Sequence, residues 1–129
     1  MKIIILKSNL KEGLSAVEKA ITENNSNLPI LKNVLIKTYN NRIKLAATNL
    51  EIGITKFTSG KIIEEGSITV PFNTLYNIVT HSDSERIHLE TDKNILIVKT
   101  DNYTAKIQGV AEEEFPIIPK IENIKNYIK

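Results

Sequence analysis

Apolar and polar residues alternate along this chain in two repeated rounds. The opening run KIIILK (2–7) reads as a strand, and Ser8 after it is a good helix N-cap. Leu10, Leu14, Val17 and Ile21 then recur at spacings of four, three and four, forming one apolar stripe on an amphipathic helix that runs to about Glu23. Gly13 inside that helix costs about 1 kcal/mol relative to alanine and suits close packing. The polar stretch Asn24-Asn25-Ser26-Asn27 turns abruptly apolar at Leu28. Pro29 cannot continue the helix and pushes Leu28 toward extended geometry, so Leu28, Ile30 and Leu31 are expected to anchor the turn to the core. NVLIKTYN, Asn40-Asn41 and RIKLAATN then predict a hairpin whose asparagines supply positive φ angles. EIGITKFTSG (51–60) alternates as a third strand, and KIIEEG reads as an exposed link.

The pattern then starts again. SITVP (67–71) predicts a strand, and FNTLYNIVTHS (72–82) puts Phe72, Leu75, Tyr76 and Val79 on one helical face. RIHLET (86–91), ILIVKT (95–100) and YTAKIQG (103–109) follow as three strands, and the tail from Glu112 to Lys129, with Pro116 and Pro119, reads as an extended exit. Strand, helix and three strands therefore occur twice, an internal duplication with a period of about 65 residues. Two helices among eight short strands make an α+β domain, with the paired helices laid on one face of antiparallel sheet. Their outer faces carry Glu12, Ser15, Lys19 and Glu23 on the first helix, and Asn73, Thr74, Asn77 and His81 on the second.

Composition narrows the function. With 129 residues the chain suits one domain, and its formal net charge of +2 is far from the basic footprint of a tight nucleic-acid binder. The basic residues are nearly all lysine, which gives mobile point charges rather than the planar forks that read bases. No cysteine is present, so disulfide and thiol chemistry are excluded. The first residues are too short and too charged for a secretory signal and no apolar run matches a membrane span, so the expected location is the cytoplasm without a membrane partner. His81 and His88 lie on different elements with no further ligands at metal spacing. Glu64-Glu65 and Glu112-Glu113-Glu114 flank turns and read as solvated loop charge, and no glycine-rich phosphate loop or nucleophile motif occurs. No cofactor, metal or catalytic residue is expected.

Four short motifs fall in order on this framework: Leu28-Pro29-Ile30-Leu31, Thr48-Asn49-Leu50-Glu51, Thr69-Val70-Pro71 and Glu114-Phe115-Pro116. Together they resemble the N-terminal domain of the bacterial sliding clamp, the β subunit of DNA polymerase III, over residues 1–120. The resemblance implies the DNA-clamp fold and, for residues 121–129, a linker toward a second domain absent here. It implies a non-catalytic processivity factor: a head-to-tail ring homodimer of three-domain protomers, threaded on duplex DNA, with helices lining the hole. Polymerase and clamp loader would bind through the later domains. On this chain the resemblance makes Lys11, Lys19, Asn24, Asn25, Asn73, Asn77 and His81 DNA-facing candidates. It places Thr74, Ile78, Thr104, Ala105 and Ile107 at the contact between protomers. Ala105 stands where the family often has a larger apolar residue, and Asn102 and Thr104 where it often has basic ones. The alternative is a stand-alone α+β module that binds nucleic acid or protein.

Overall fold

The computed structural model describes residues 1–22 and 28–116. In chain order these form β1 (Lys2–Leu6), α1 (Lys7–Thr22), a 3₁₀ turn (Pro29–Lys32), β2 (Asn33–Tyr39), β3 (Arg42–Thr48), β4 (Gly53–Thr58) and β5 (Lys61–Glu64). The second half runs β6 (Ser67–Pro71), α2 (Phe72–Thr80), β7 (Arg86–Asp92), β8 (Ile95–Lys99), β9 (Thr104–Gln108) and a second 3₁₀ turn (Glu112–Glu114). The α+β reading holds, and the strands divide into two antiparallel sheets, ordered β5-β1-β7-β8-β9 and β4-β3-β2-β6.

The duplication is built by exchange. β1 opens the first half but pairs with β7 of the second, and β6 opens the second half but pairs with β2 of the first. Neither half has a complete sheet of its own. The equivalence extends past each three-strand meander: β5 returns to pair with β1, and Val110 returns to bridge Thr69 on β6. The link KIIEEG is thus partly a strand, contrary to the sequence expectation. Its four-residue strand lies at a sheet edge, where exposed lysine and glutamate are common and mask the apolar signal.

Equivalent turns repeat the same chemistry. Asn40 and Asn41 adopt φ angles of 49° and 63°, as the hairpin required, and Lys93 takes 58° in the matching β7–β8 turn. At the end of β3 the Thr48 hydroxyl donates to the Ile52 carbonyl (2.8 Å) and accepts the Leu50 amide (3.0 Å). Thr100 does the same at the end of β8, donating to the Tyr103 carbonyl (3.2 Å) and accepting the Asn102 amide (3.3 Å).

One core joins both sheets and both helices. Ile3, Ile5, Val34, Ile36, Ile43, Leu45, Ile68, Val70, Ile87, Leu89, Leu96 and Val98 alternate along their strands toward Leu10, Leu14, Val17 and Ile21 of α1 and Phe72, Leu75 and Val79 of α2. α1 packs on β1, β3 and β4, α2 on β6, and the helices pack on each other. Gly13 is buried where a Cβ would stand 2.5 Å from Leu45 Cδ1, so the missing side chain lets α1 approach β3. Gly109 is less forgiving, because a Cβ there would meet backbone that cannot rotate aside, 2.6 Å from the Thr69 carbonyl oxygen. Gly109→Ala is expected to destabilise the fold by about 1–2 kcal/mol through forced separation of that bridge. Chemical denaturation with an unchanged m-value would check it.

Three local expectations change. α1 begins at Lys7, so Ser8 lies inside its first turn rather than capping it. The start is fixed from a distance: the Lys7 amide donates to the Glu85 carbonyl (2.8 Å), and the Lys7 ammonium donates to the Ser82 carbonyl. Around Pro29, Leu31 is fully buried and Ile30 half-buried, but Leu28 is 52% exposed and so is no anchor. Tyr76 is only half-buried, its ring stacked 5.4 Å from Phe72.

Candidate nucleic-acid interface

α1 and α2 lie side by side with their apolar faces turned into the core, which leaves two polar rows facing outward. Lys11, Ser15 and Lys19 recur every fourth residue on α1 and are all exposed. Asn73, Asn77 and His81 recur in the same way along α2 and its C-terminal cap, and are also exposed. The Ser15 and Tyr76 hydroxyls meet at 3.3 Å between the rows. The His81 ring is held by its Nδ1, 2.8 Å from the Asn77 carbonyl oxygen, which requires a hydrogen on Nδ1. The five described DNA-facing candidates therefore share one helical surface, while Asn24 and Asn25 lie outside the described residues. The surface is mildly basic, since Glu12 shares it and lies 3.9 Å from Lys56 on β4.

Of the candidates for the contact between protomers, Thr74 and Ile78 lie on α2, and Thr104, Ala105 and Ile107 on β9, the outermost strand of the five-stranded sheet. Tyr103 joins them, its hydroxyl donating to the Ile78 carbonyl oxygen at 3.2 Å. Thr74 and Thr104 are exposed, whereas Ile78 and Ala105 are half-buried and rest against the core. Ile107 is only 5% exposed and pairs across from Leu96 inside the core, so its main contribution is packing. Tyr103 escaped sequence reading because an aromatic residue at a strand start carries no signal of what its hydroxyl will reach.

Glu112 also departs from expectation. It is not a solvated loop charge: its carboxylate accepts from the Lys37 ammonium at 2.6 Å and from the Ser67 hydroxyl at 2.9 Å. Phe115 then packs on Leu35 and Ala46, fixing the exit of the chain on the sheet face opposite the helices. Burial pushes the Glu112 carboxyl up, but the hydrogen bonds from Lys37 and Ser67, with the charges of Lys37 and Lys44, hold it below its ordinary 4.5. Because the folded-state value is the lower one, the stabilisation is complete above 4.5 and disappears as pH falls through the depressed value. Glu112→Gln should therefore be less stable than the parent at neutral pH. Urea titrations across the acid range should show the two converging as the parent carboxyl protonates.

Among the described residues, no group of three or more His, Cys, Asp or Glu side chains could hold a metal ion. His81 and His88 stand on separate elements. Among the same residues, no helix is long and apolar enough to cross a membrane.

Comparison with known proteins gives this geometry its context. Residues 1–119 match the family model described as DNA polymerase III beta subunit, N-terminal domain. A beta sliding clamp from Synechocystis sp. is 28% identical over 134 residues, covering 97% of this chain and 34% of that protein. The beta sliding clamp of Chlamydia pneumoniae is 23% identical over 124 residues, covering 95% and 34%. Among solved structures, a DNA polymerase III beta subunit from Eubacterium rectale superposes with a TM-score of 0.87 at 30% identity, covering 94% of this chain and 33% of its own. A sliding clamp from Bartonella birtlesii gives 0.86 at 29% identity, covering 93% and 32%. The chain spans about a third of the length of these relatives. It belongs to the family of DNA polymerase III beta subunit N-terminal domains.

Proposed function

We propose that this chain acts as the first domain of a replicative sliding clamp, a non-catalytic ring that encircles duplex DNA and tethers DNA polymerase III in the cytoplasm. On this reading residues 1–120 are the domain and residues 121–129 lead toward a second one. The observation that carries the proposal is the pairing of α1 and α2 on one side of two sheets, with Lys11, Lys19, Asn73, Asn77 and His81 on their common outer surface. Such a surface can face a phosphate backbone without reading bases. Its low charge density suits a ring that holds by topology, because each strong phosphate contact would oppose sliding. Asn24 and Asn25, which lie outside the described residues, would offer neutral donors where the resembled family carries a base.

The β9 edge and α2 would meet the last domain of a second protomer through Thr74, Ile78, Thr104 and Ala105, with Ile107 supporting them from the core. Polymerase and loader would bind to the later domains.

Fluorescence anisotropy with short duplexes tests this on the chain itself. Expected is weak binding without sequence preference that falls steeply with salt. Tight, sequence-selective binding at physiological salt would overturn the proposal in favour of a dedicated nucleic-acid-binding module.

A further inference from the structure

The duplication creates two equivalent clefts that have diverged in chemistry. The first, of about 460 Å³, lies between the end of β1, the first turn of α1 and the Ser59–Lys61 turn. The second, of about 400 Å³, lies between the end of β6, the 3₁₀ turn at Pro29 and the Gln108–Val110 segment. Their equivalence is visible in the glycines. A Cβ on Gly60 would stand 3.0 Å from the Ile4 carbonyl oxygen, and one on Gly109 would stand 2.6 Å from that of Thr69. Ile4 and Thr69 are themselves paired in the same way, to Lys61 and to Val110.

The linings differ. Where the second cleft has Pro71, Val110 and Asn33, the first has Leu6, Lys61 and Arg86. Ile4 and Leu6 alternate with the buried Ile3 and Ile5, so they face away from the core, and Leu6 is 38% exposed. Lys61 lies directly across from Ile4 on one flanking strand, and Arg86 directly across from Leu6 on the other. An aliphatic strip is therefore bordered by one cation on each side. Among the described residues neither cation has a carboxylate partner. Asn9 completes the rim.

We propose that the first cleft binds an extended segment of a partner protein that carries an aliphatic side chain between two carboxylates. The aliphatic group would lie on Ile4 and Leu6, and the carboxylates would pair with Lys61 and Arg86, the guanidinium offering a bidentate fork. A peptide fits better than a nucleic-acid backbone, because phosphates would satisfy the cations but leave the aliphatic floor uncovered. Its floor of Ile4 and Leu6 lies on the sheet face turned away from the core, so it remains available while the outer faces of the helices meet DNA.

The sister cleft is a built-in control. Titration of the isotope-labelled chain with acetyl-Glu-Leu-Glu-amide should shift amide resonances of Leu6, Asn9, Gly60, Lys61 and Arg86, with little change at Asn33, Gln108 and Gly109. Acetyl-Gln-Leu-Gln-amide and acetyl-Glu-Ala-Glu-amide should each bind at least about tenfold more weakly, since the first loses both charge pairs and the second most of the aliphatic contact. Lys61→Glu/Arg86→Glu, both at surface positions, should abolish the response while leaving the rest of the spectrum unchanged. Equal shifts at both clefts would overturn the proposal, as would an unaltered response in the double variant or equal binding of the alanine peptide. Displacement of the peptide by short duplex DNA, with the same resonances shifted, would make the cleft a phosphate site and would also overturn it.

Discussion

Truncating Phe72 to alanine is expected to cost about 3–5 kcal/mol, the largest effect of any single substitution considered. Phe72 is 1% exposed, follows β6 directly as the first residue of α2, and stacks on Tyr76. Its loss opens a cavity where the second half's strand, its helix and the shared core meet. In a chain of this size a change of that order lowers the midpoint of thermal unfolding by about 10–20 °C. The effect should reach the surface, since α2 carries the exposed Asn73, Thr74 and Asn77 and ends at its cap, His81. Calorimetry should show the loss of stability, and weakened duplex binding should accompany it. A variant with an unchanged midpoint would mean that α2 is held by its flanking strands rather than by this ring.

The second large effect concerns charge. Reversing Lys11 and Lys19 together, as Lys11→Glu/Lys19→Glu, is expected to weaken duplex binding by about 10–100-fold and to flatten its salt dependence. Each phosphate contact contributes about −0.9 to the slope of log affinity against log salt, so losing two should reduce the slope by about 1.8. Both side chains are exposed on α1, away from its buried stripe, so stability should change little. Lys61→Glu/Arg86→Glu serves as the matched control: it reverses two cations outside the helical surface and should leave duplex affinity nearly unchanged. Equal losses from the two pairs would show that only net charge matters and that no face is preferred.

Much of the architecture was legible because hydrophobic period carries it. The stripe of α1, the Asn40-Asn41 turn and the repeated strand–helix–strand order all follow from local spacing, and all are present. What escaped depends on partners far along the chain. Nothing near Ser8 tells that Lys7 will be held by Glu85 and Ser82, which moves the helix start. Nothing near Glu112 tells that Lys37 and Ser67 will face it, and so the acidic run read as solvated. The exchange of β1 and β6 between halves was likewise invisible, because pattern identifies strands but not the neighbours they choose. β5 is short and its one strong apolar pair sits beside two glutamates, so edge chemistry hid it. Ile107 was readable in part, since Thr104, Lys106 and Gln108 alternate with Ala105 and Ile107, and the apolar pair had to share the core face.

The helical surface of the candidate site was also foreseeable, because the four-residue spacing of Lys11, Ser15 and Lys19, and of Asn73, Asn77 and His81, is a property of helices. The clefts were not, because each is assembled from three separated segments whose approach depends on Gly60 or Gly109.

On the proposed reading, this domain meets duplex DNA through the paired helices and not through its sheets. Amide chemical-shift mapping of the labelled chain with a short duplex at low salt tests it most directly. Shifts should be confined to the exposed residues of α1, α2 and its cap, including Lys11, Lys19, Asn73, Asn77 and His81, and should collapse together as salt is raised. Shifts centred on the outer faces of the sheets, with those helical residues unmoved, would contradict it.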